Sequence, residues 1–187
     1  MNYSMTQNLI ERLANLLASE ARQQAYQLNL QPVQIDVLVY LNQCNRFSDT
    51  PLTVAEYLRL TKGTVSKSIT ELHKKGYVEK HKDLDDGRIQ HLKLSPSGVD
   101  LVSKIEPSVM LSNYLKGLVP EEIEAIDQTL TKLLSGVQKH HANRAFGVCS
   151  GCRFHVTKTP EYSFCELTKE PLKSQEWQLI CREFDKP

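Results

Sequence analysis

Residues 53–98 read TVAEYLRLTKGTVSKSITELHKKGYVEKHKDLDDGRIQHLKLSPSG, and this stretch decides the fold of the chain. Its first eight residues predict a short helix, because Thr53 can cap the N-terminus and Glu56 stands where a capping box needs it. The segment 61–63, Thr-Lys-Gly, breaks that helix. The chain therefore turns sharply within a few residues of a first short helix.

A second helix and a hairpin complete the stretch. The periodicity of residues 64–75 predicts a helix, and Gly76 is a favourable residue just beyond its C-terminus. Residues 77–82 and 88–95 predict two strands, and the Asp-Gly turn between them predicts a β-hairpin. Short helix, turn, second helix and hairpin, in this order, predict a winged helix-turn-helix.

Most of the remaining chain is predicted to be helical. Residues 6–28 are amphipathic, whereas residues 32–44 are apolar nearly all round, which predicts a buried helix. A helix that begins at Pro96 is interrupted at Pro107. A long amphipathic helix covers residues 120–142. The predicted fold class is mainly α with a small β-hairpin wing, hence α+β.

The outer face of the helix over residues 64–75 carries side chains suited to DNA. Val65, Ile69 and Leu72 share one face and are predicted to point into the core. On the opposite face, small hydroxyl groups could reach base edges, and lysines could neutralise phosphates. The candidate DNA contacts in and beside this helix are Lys62, Thr64, Ser66, Lys67, Thr70 and Lys74. An ordinary solvated helix face shows the same pattern, so this helix alone leaves both interpretations open.

The hairpin adds a second indication of DNA binding. It carries several lysines, two histidines and Arg88, yet its tip holds three aspartates, Asp83, Asp85 and Asp86. A tip that served only to attract phosphates would not carry these acids. Acids beside an arginine instead predict a guanidinium held in one pose, which suits a narrow minor groove.

The stretch DLDDGRIQHLKLSPSG, residues 83–98, resembles the wing signature of the MarR family. Residues 6–140 also follow the order of helices in that family. The resemblance implies a recognition helix over residues 64–75 that reads the major groove of double-stranded operator DNA. It further implies that Arg88 enters the minor groove and that Asp86 braces it.

The same resemblance has implications for assembly and for ligands. In the MarR family the terminal helices intertwine into an obligate dimer, and here these are residues 6–28 and 120–142. Members of the family often bind small phenolic or lipophilic effectors between the dimerisation and DNA-binding parts. No residue in this sequence identifies such an effector.

Composition sets further bounds. The chain has 187 residues, 40% of them hydrophobic and 24% charged, with a net charge of +1. Positive charge for DNA must therefore be local. The N-terminal residues do not look like a signal peptide, and no apolar run reaches the roughly 18 residues of a membrane span. We therefore expect a cytoplasmic protein whose thiols stay reduced and which has no membrane partner.

Four of the five cysteines lie near the C-terminus with the spacing C-x2-C-x12-C-x15-C; they are Cys149, Cys152, Cys165 and Cys181. A reducing compartment disfavours disulfides, and the context of a thioredoxin-like dithiol or a zinc deaminase is missing. Four thiolates could close a structural zinc site. One tight pair with two separate cysteines also fits a [4Fe-4S] cluster. The spacing is similar to high-potential iron–sulfur proteins, and CRFH, FCELT and CREF resemble small cluster-binding subunits of some glycyl-radical enzymes.

The cysteines define a second module. We expect a domain over residues 1–143, with its DNA-reading part at about 32–95, and a metal-binding module over residues 144–187. Aromatic side chains crowd this module and could form most of its core. Only residues 143–148 separate the long helix from the first cysteine of the set, which predicts that the module packs on the dimer ends. The fifth cysteine, Cys44, is expected to be a buried, unreactive thiol.

The sequence supports three functional hypotheses and predicts no enzyme. The first is a transcription regulator whose cysteine centre senses redox state, oxygen or metal. The second is an electron-transfer or enzyme-activating protein whose helix-turn-helix contacts another protein. The third is a regulator with a purely structural zinc site.

Overall fold

A computed structural model describes residues 3–84, 86–106, 108–140 and 145–186 of the chain. Three sequence-based expectations lie outside these residues. They concern the acid at Asp85, the helix break at Pro107 and the domain boundary near residue 143. The part of the chain that is described is mainly helical and contains the hairpin, as predicted. It also contains two further small antiparallel sheets.

Seven helices are present among the described residues. They are α1 (Tyr3–Gln27), α2 (Pro32–Gln43), α3 (Pro51–Leu58), α4 (Lys62–Lys74), α5 (Pro96–Ser103), α6 (Val109–Leu115) and α7 (Pro120–His140). Six of them match predicted helices to within a few residues. Helix α6 was not predicted, because seven residues make only two turns and give little periodicity to recognise.

The starts of the two helix-turn-helix helices differ from the prediction. Thr50, not Thr53, caps α3: its side chain accepts a hydrogen bond from the backbone N–H of Thr53 at 3.3 Å, and Pro51 occupies the first helical position. Proline is favoured there because its fixed backbone angle suits a helix start. Similarly, Thr61 caps α4 by accepting from the backbone N–H of Thr64 at 3.1 Å. The segment 61–63 therefore begins the second helix and does not only break the first.

The predicted hairpin is confirmed. Strands β1 (Val78–Lys82) and β2 (Gln90–Leu94) pair antiparallel, from Val78 opposite Leu94 to Lys82 opposite Gln90. Gly76, between α4 and β1, has a φ of 78°, a left-handed conformation that glycine adopts without strain. The sharp turn that places the wing beside α4 therefore depends on this residue.

The core of the helix-turn-helix lies between α2, α3 and α4. Leu38, Val54, Val65, Ile69 and Leu72 are all at most 1% exposed. The inward face predicted for α4 is thus confirmed, and burial of that face orients the opposite one outward.

Residues 145–186, here called the cysteine module, form two small sheets that the sequence did not predict. Strands β3 (Gly147–Val148) and β7 (Ile180–Cys181) form one, and β4 (His155–Thr159), β5 (Tyr162–Cys165) and β6 (Glu170–Leu172) form the other. Short 3-10 helices cover Cys149–Gly151 and Ser174–Glu176. Its aromatic side chains are mostly half-buried, so they form less of a core than expected.

The module docks on the helix-turn-helix through the α2–α3 loop, residues 44–50. Arg46 binds both carboxylate oxygens of Glu176 at 2.5 and 2.6 Å. Arg182 binds both carboxylate oxygens of Glu56 in α3 at 2.7 and 3.0 Å. These ion pairs join the module to this loop and to α3, between charged residues that are far apart in the sequence, so local spacing could not predict them. That the module packs on the dimer ends stays a prediction.

Gly98, in the first turn of α5, allows close packing against the residue that precedes β1. A Cβ atom at Gly98 would lie 2.1 Å from the backbone oxygen of Tyr77. The backbone of one element or the other would have to move to admit a side chain.

We predict that Gly98→Ala lowers the free energy of unfolding by about 1–3 kcal/mol, because this overpacking outweighs the gain in helix propensity. Gly136→Ala in α7 is the matched control, since no atom lies within 4 Å of its added Cβ. The control should be stabilised by roughly 0.4–1 kcal/mol. Urea unfolding of both variants measures the difference, and equal effects at the two sites would contradict the packing argument.

Candidate nucleic-acid interface and cysteine site

The polar face of α4 points away from the core. Lys62, Thr64, Ser66, Lys67 and Lys74 are exposed. Thr70 is only half-buried, and its hydroxyl donates to the backbone oxygen of Ser66 at 2.8 Å. The structure therefore brings the predicted contacts onto one exposed face, with the Thr70 hydroxyl bound to its own helix.

The wing arginine is held in one pose by an acid, as expected. Arg88 donates through Nε to Asp86 Oδ1 at 2.9 Å and through Nη2 to Asp86 Oδ2 at 2.8 Å. The backbone N–H of Arg88 also donates to Asp86 Oδ1 at 3.0 Å. These bonds hold the pKa of the Asp86 carboxyl below its usual value. The Arg88 side chain is nevertheless 90% exposed, so it is both fixed and accessible.

A histidine between two carboxylates ties the wing to the α2–α3 loop. His91 in β2 lies with Nδ1 2.5 Å from Asp49 of that loop and Nε2 3.0 Å from Asp83 of the wing. Asp83 in turn accepts from the backbone N–H of Asp86 at 2.7 Å. Asp83 and Asp86 therefore brace the wing, which accounts for these two acids at the tip of an otherwise basic hairpin.

The charge of His91 depends on this setting. Burial opposes the charged imidazole, but the hydrogen bonds and charges of Asp49 and Asp83 outweigh it, so the pKa of His91 is raised above 6.5. Burial also raises the pKa of Asp49, even with His91 beside it. The charged histidine is the form that both carboxylates stabilise.

All four cysteines of the module line one cavity. None is in a disulfide. Burial, and after it the nearby thiols of Cys181, Cys152 and Cys165, raise the pKa of the Cys149 thiol to about 12. Cys149 is therefore neutral unless a cation or another positive group stabilises its thiolate.

Backbone N–H groups already point at two of the sulfurs. The N–H of Asp185 donates to Cys152 Sγ at 3.4 Å. The backbone of Glu183 donates to Cys181 and acts against the rise that burial causes in the pKa of that thiol. Such donors are characteristic of thiolates that bind metal, because they offset negative charge on sulfur.

No group of three or more His, Cys, Asp or Glu side chains, within the residues described, is arranged to hold a single metal ion. His155 lies with Nδ1 3.5 Å from Cys149 Sγ and against Trp177. Cys44 is 8% exposed, and burial raises its pKa to about 12, as suits an unreactive thiol.

Four residues with structural roles at these sites were not singled out from the sequence: Asn45, Arg46, Asp49 and Arg182. Their partners in other elements lie 42 to 135 residues away in the chain. Local spacing carries no signal for such pairs. Only the fold brings them together.

We predict that His91 stabilises the protein in a pH-dependent way. A group whose pKa is raised on folding contributes stability below its unfolded pKa, and this contribution is lost as pH rises through the folded pKa. The difference in free energy of unfolding between wild type and His91→Gln should therefore shrink between about pH 6 and pH 9. Urea unfolding across that range is the measurement. Asp49→Asn should reduce the same pH dependence, whereas parallel wild-type and His91→Gln curves would contradict the assignment.

Comparison with known proteins agrees with this geometry. A family model described as MarR family matches residues 28–89. The solved structure of MepR from S. aureus in its DNA-binding conformation has a TM-score of 0.61 and 27% identity, covering 74% of this chain and 100% of that one. The S. aureus MepR–DNA complex has a TM-score of 0.56 and 27% identity, covering 73% and 98%.

FabT from Streptococcus pneumoniae, in complex with DNA, has a TM-score of 0.56 at 24% identity, covering 73% of this chain and 96% of that chain, and shows likeness of fold alone. No curated protein sequence matches significantly.

Within the described residues, no helix is both long and apolar enough to cross a membrane. The family match over residues 28–89 and the two MepR structures show that this chain is similar to winged-helix proteins of the MarR family.

Proposed function

We propose that this chain is a dimeric, DNA-binding transcription regulator, with α4 in the major groove and Arg88 in the minor groove. The observation that carries the proposal is the Arg88–Asp86 pair, because the guanidinium is fixed by two hydrogen bonds while it remains 90% exposed. Arranging a side chain before binding reduces the entropy lost when it enters a groove. The proposal includes no enzymatic activity.

The relatives support DNA as the partner. MepR and FabT, to which this chain is similar, have been solved in complex with DNA. In this chain the exposed face of α4 carries Lys62, Lys67 and Lys74, which could contact phosphates. We place this activity in the cytoplasm, where the DNA is and where thiols stay reduced.

The terminal helices support a homodimer. Leu9 and Leu16 in α1 are 58% and 46% exposed, and Leu130 and Leu134 in α7 are 52% and 58% exposed. Apolar rows of this length on two helices are unfavourable in water unless a partner covers them. A second copy of the chain, with the same rows, is the partner we propose.

A cavity of about 720 Å³ could admit a small-molecule effector. It lies beside the proposed dimerisation helices and is lined by Leu17, Ile35, Val39, Val102 and Leu111, among others. Its volume suits a drug-sized ligand. A ligand there could shift α1 relative to the DNA-reading helices.

For the cysteine module we propose a metal centre held by Cys149, Cys152, Cys165 and Cys181, with a [4Fe-4S] cluster as the first choice and zinc as the alternative. The donor set suits either one chemically, since four thiols line one cavity and two of them accept N–H groups, although the described side chains as they stand are not arranged around a single ion. The free space has room for about one water molecule, so a cluster requires the walls to open further than an ion does. A bound cluster would make the module sensitive to oxygen or redox state, whereas closed zinc would mainly stabilise it.

We further propose that the state of this centre changes affinity for DNA. The module binds Glu56 of α3 and the α2–α3 loop, so it is in contact with the DNA-reading elements. The competing hypothesis, an electron-transfer or enzyme-activating protein, requires no operator binding. DNA binding therefore separates the two.

We predict that Arg88→Ala weakens binding to a specific site by roughly 1–3 kcal/mol and relaxes the preference for A·T pairs near the wing. Lys74→Ala should weaken binding to all sequences alike and reduce the salt slope by about one. Lys104→Ala, which removes an exposed cation paired with Asp100, is the control and should change neither. Gel shifts with specific and random DNA measure this. An equal loss on both DNAs for Arg88→Ala would rule out the minor-groove role.

We predict a dimer at micromolar concentration, bound to a pseudo-palindrome with half-sites about 10 bp apart. Leu134→Asp should give monomers, because it places a charge in the proposed interface. Leu84→Asp, at a wing residue that is fully exposed, should leave the dimer intact. Analytical ultracentrifugation decides, and a monomeric wild type would refute the dimer.

We predict that replacing any of the four module cysteines by Ser abolishes stoichiometric metal and loosens the module. Cys44→Ser is the control and should keep the metal, since Cys44 does not line the cavity. Metal analysis after anaerobic purification distinguishes iron from zinc. Operator affinity with the centre intact, oxidised and removed should differ by about 5–150-fold. Identical affinities would mean that the centre has no regulatory role.

A further inference from the structure

Asn45, in the α2–α3 loop, forms part of the wall of the cysteine cavity although it belongs to the helix-turn-helix. It is 1% exposed. Among the described residues, the buried side-chain polar atoms that lack a hydrogen-bond partner are Asn45 Nδ2 and Thr168 Oγ1, and both residues line this cavity. A buried amide donor without an acceptor is unfavourable, so the arrangement indicates an acceptor that arises only in another state of the site.

The orientation of the Asn45 amide is fixed by its other bonds. Its Oδ1 accepts from the backbone N–H of Phe47 at 3.2 Å and from the Ser48 hydroxyl at 2.8 Å. Its backbone N–H donates to the oxygen of Ile180, the residue before Cys181, at 2.9 Å. Because Oδ1 is engaged within the loop, Nδ2 is the side-chain atom of Asn45 that is left for the cavity it lines together with the four cysteines.

The acceptor that suits this donor is the sulfur of Cys181. Asn45 and Cys181 line the same cavity, and the backbone N–H of Asn45 is already bound to the residue before Cys181. A metal-bound cysteine is a thiolate, and a thiolate accepts a hydrogen bond more strongly than a neutral thiol does. The unpaired amide would therefore gain its partner when a metal binds.

We propose that Asn45 donates an N–H···S hydrogen bond to Cys181 in the metal-loaded protein, so that the helix-turn-helix supplies a positioning residue to the cysteine centre. This inference rests on the proposed four-cysteine centre. The other N–H groups directed at the sulfurs come from the module itself, at Glu183 and Asp185. Asn45 thus links the centre to the loop that also carries Asp49, which contacts the wing histidine.

The test uses the full-length protein loaded with metal under anaerobic conditions. Asn45→Asp keeps the Oδ1 acceptor but removes the donor, and Asn45→Leu removes the donor without adding charge. Asn42→Asp, at an exposed position outside the cavity, is the control for added charge. Release of metal to EDTA is followed for each variant, together with thermal melting to confirm that it folds.

Both Asn45 variants should release metal about 10–100-fold faster than wild type, as expected for the loss of a residue that supports a ligand. Asn42→Asp should match wild type. If the metal is iron, the reduction potential should become more negative in Asn45→Leu, because a donor to sulfur stabilises the reduced cluster. Unchanged release rates in both Asn45 variants would overturn the inference and leave the centre standing. A wild-type protein that binds no stoichiometric metal would instead overturn the centre, and this inference with it.

Discussion

The α2–α3 loop contains buried polar groups that it cannot satisfy by itself, and the arrangement of the rest of the structure depends on this constraint. Ser48 is fully buried, and its backbone oxygen accepts from the Tyr40 hydroxyl at 2.8 Å. Its side chain accepts from the backbone N–H of Arg182 at 2.9 Å. Since buried polar groups must be paired, the loop takes partners from the core helix, the cysteine module and the wing.

The ion pairs around this loop act more through geometry than through net stability. Arg46 and Glu176 have side chains that are 36% and 10% exposed, so part of their attraction offsets the cost of removing them from water. Arg182 and Glu56 form a bidentate pair, in which Nε and Nη2 each donate to a different carboxylate oxygen, and such a pair restricts the orientation of its partners. The two pairs together fix how the module lies against α3.

The aspartates of the wing are compatible with the proposed binding of DNA. Asp83 and Asp86 are bound to His91 and Arg88, so their negative charges are partly neutralised within the hairpin. The same bonds stiffen the turn of the hairpin. The proposed insertion of Arg88 into the minor groove depends on such stiffness, because each free rotation of the side chain weakens binding.

The sequence by itself determined the helix order, the hairpin, the inward face of α4 and the pairing of Asp86 with Arg88. These features are set by residues that are close in the chain, where capping, periodicity and turn preferences act. It also identified the four cysteines through their spacing, and the structure gathers them around one cavity.

Only the tertiary structure decided where the cysteine module docks and which residues surround its thiols. Asn45 meets the module at Ile180, and Asp49 meets His91 in the wing, across long separations in sequence. Contacts of this kind arise from the packing of α2, α3 and the small sheets, and no local pattern encodes them. Nothing in the sequence marks the α2–α3 loop as important, because its role depends on partners that come together only when the chain is folded.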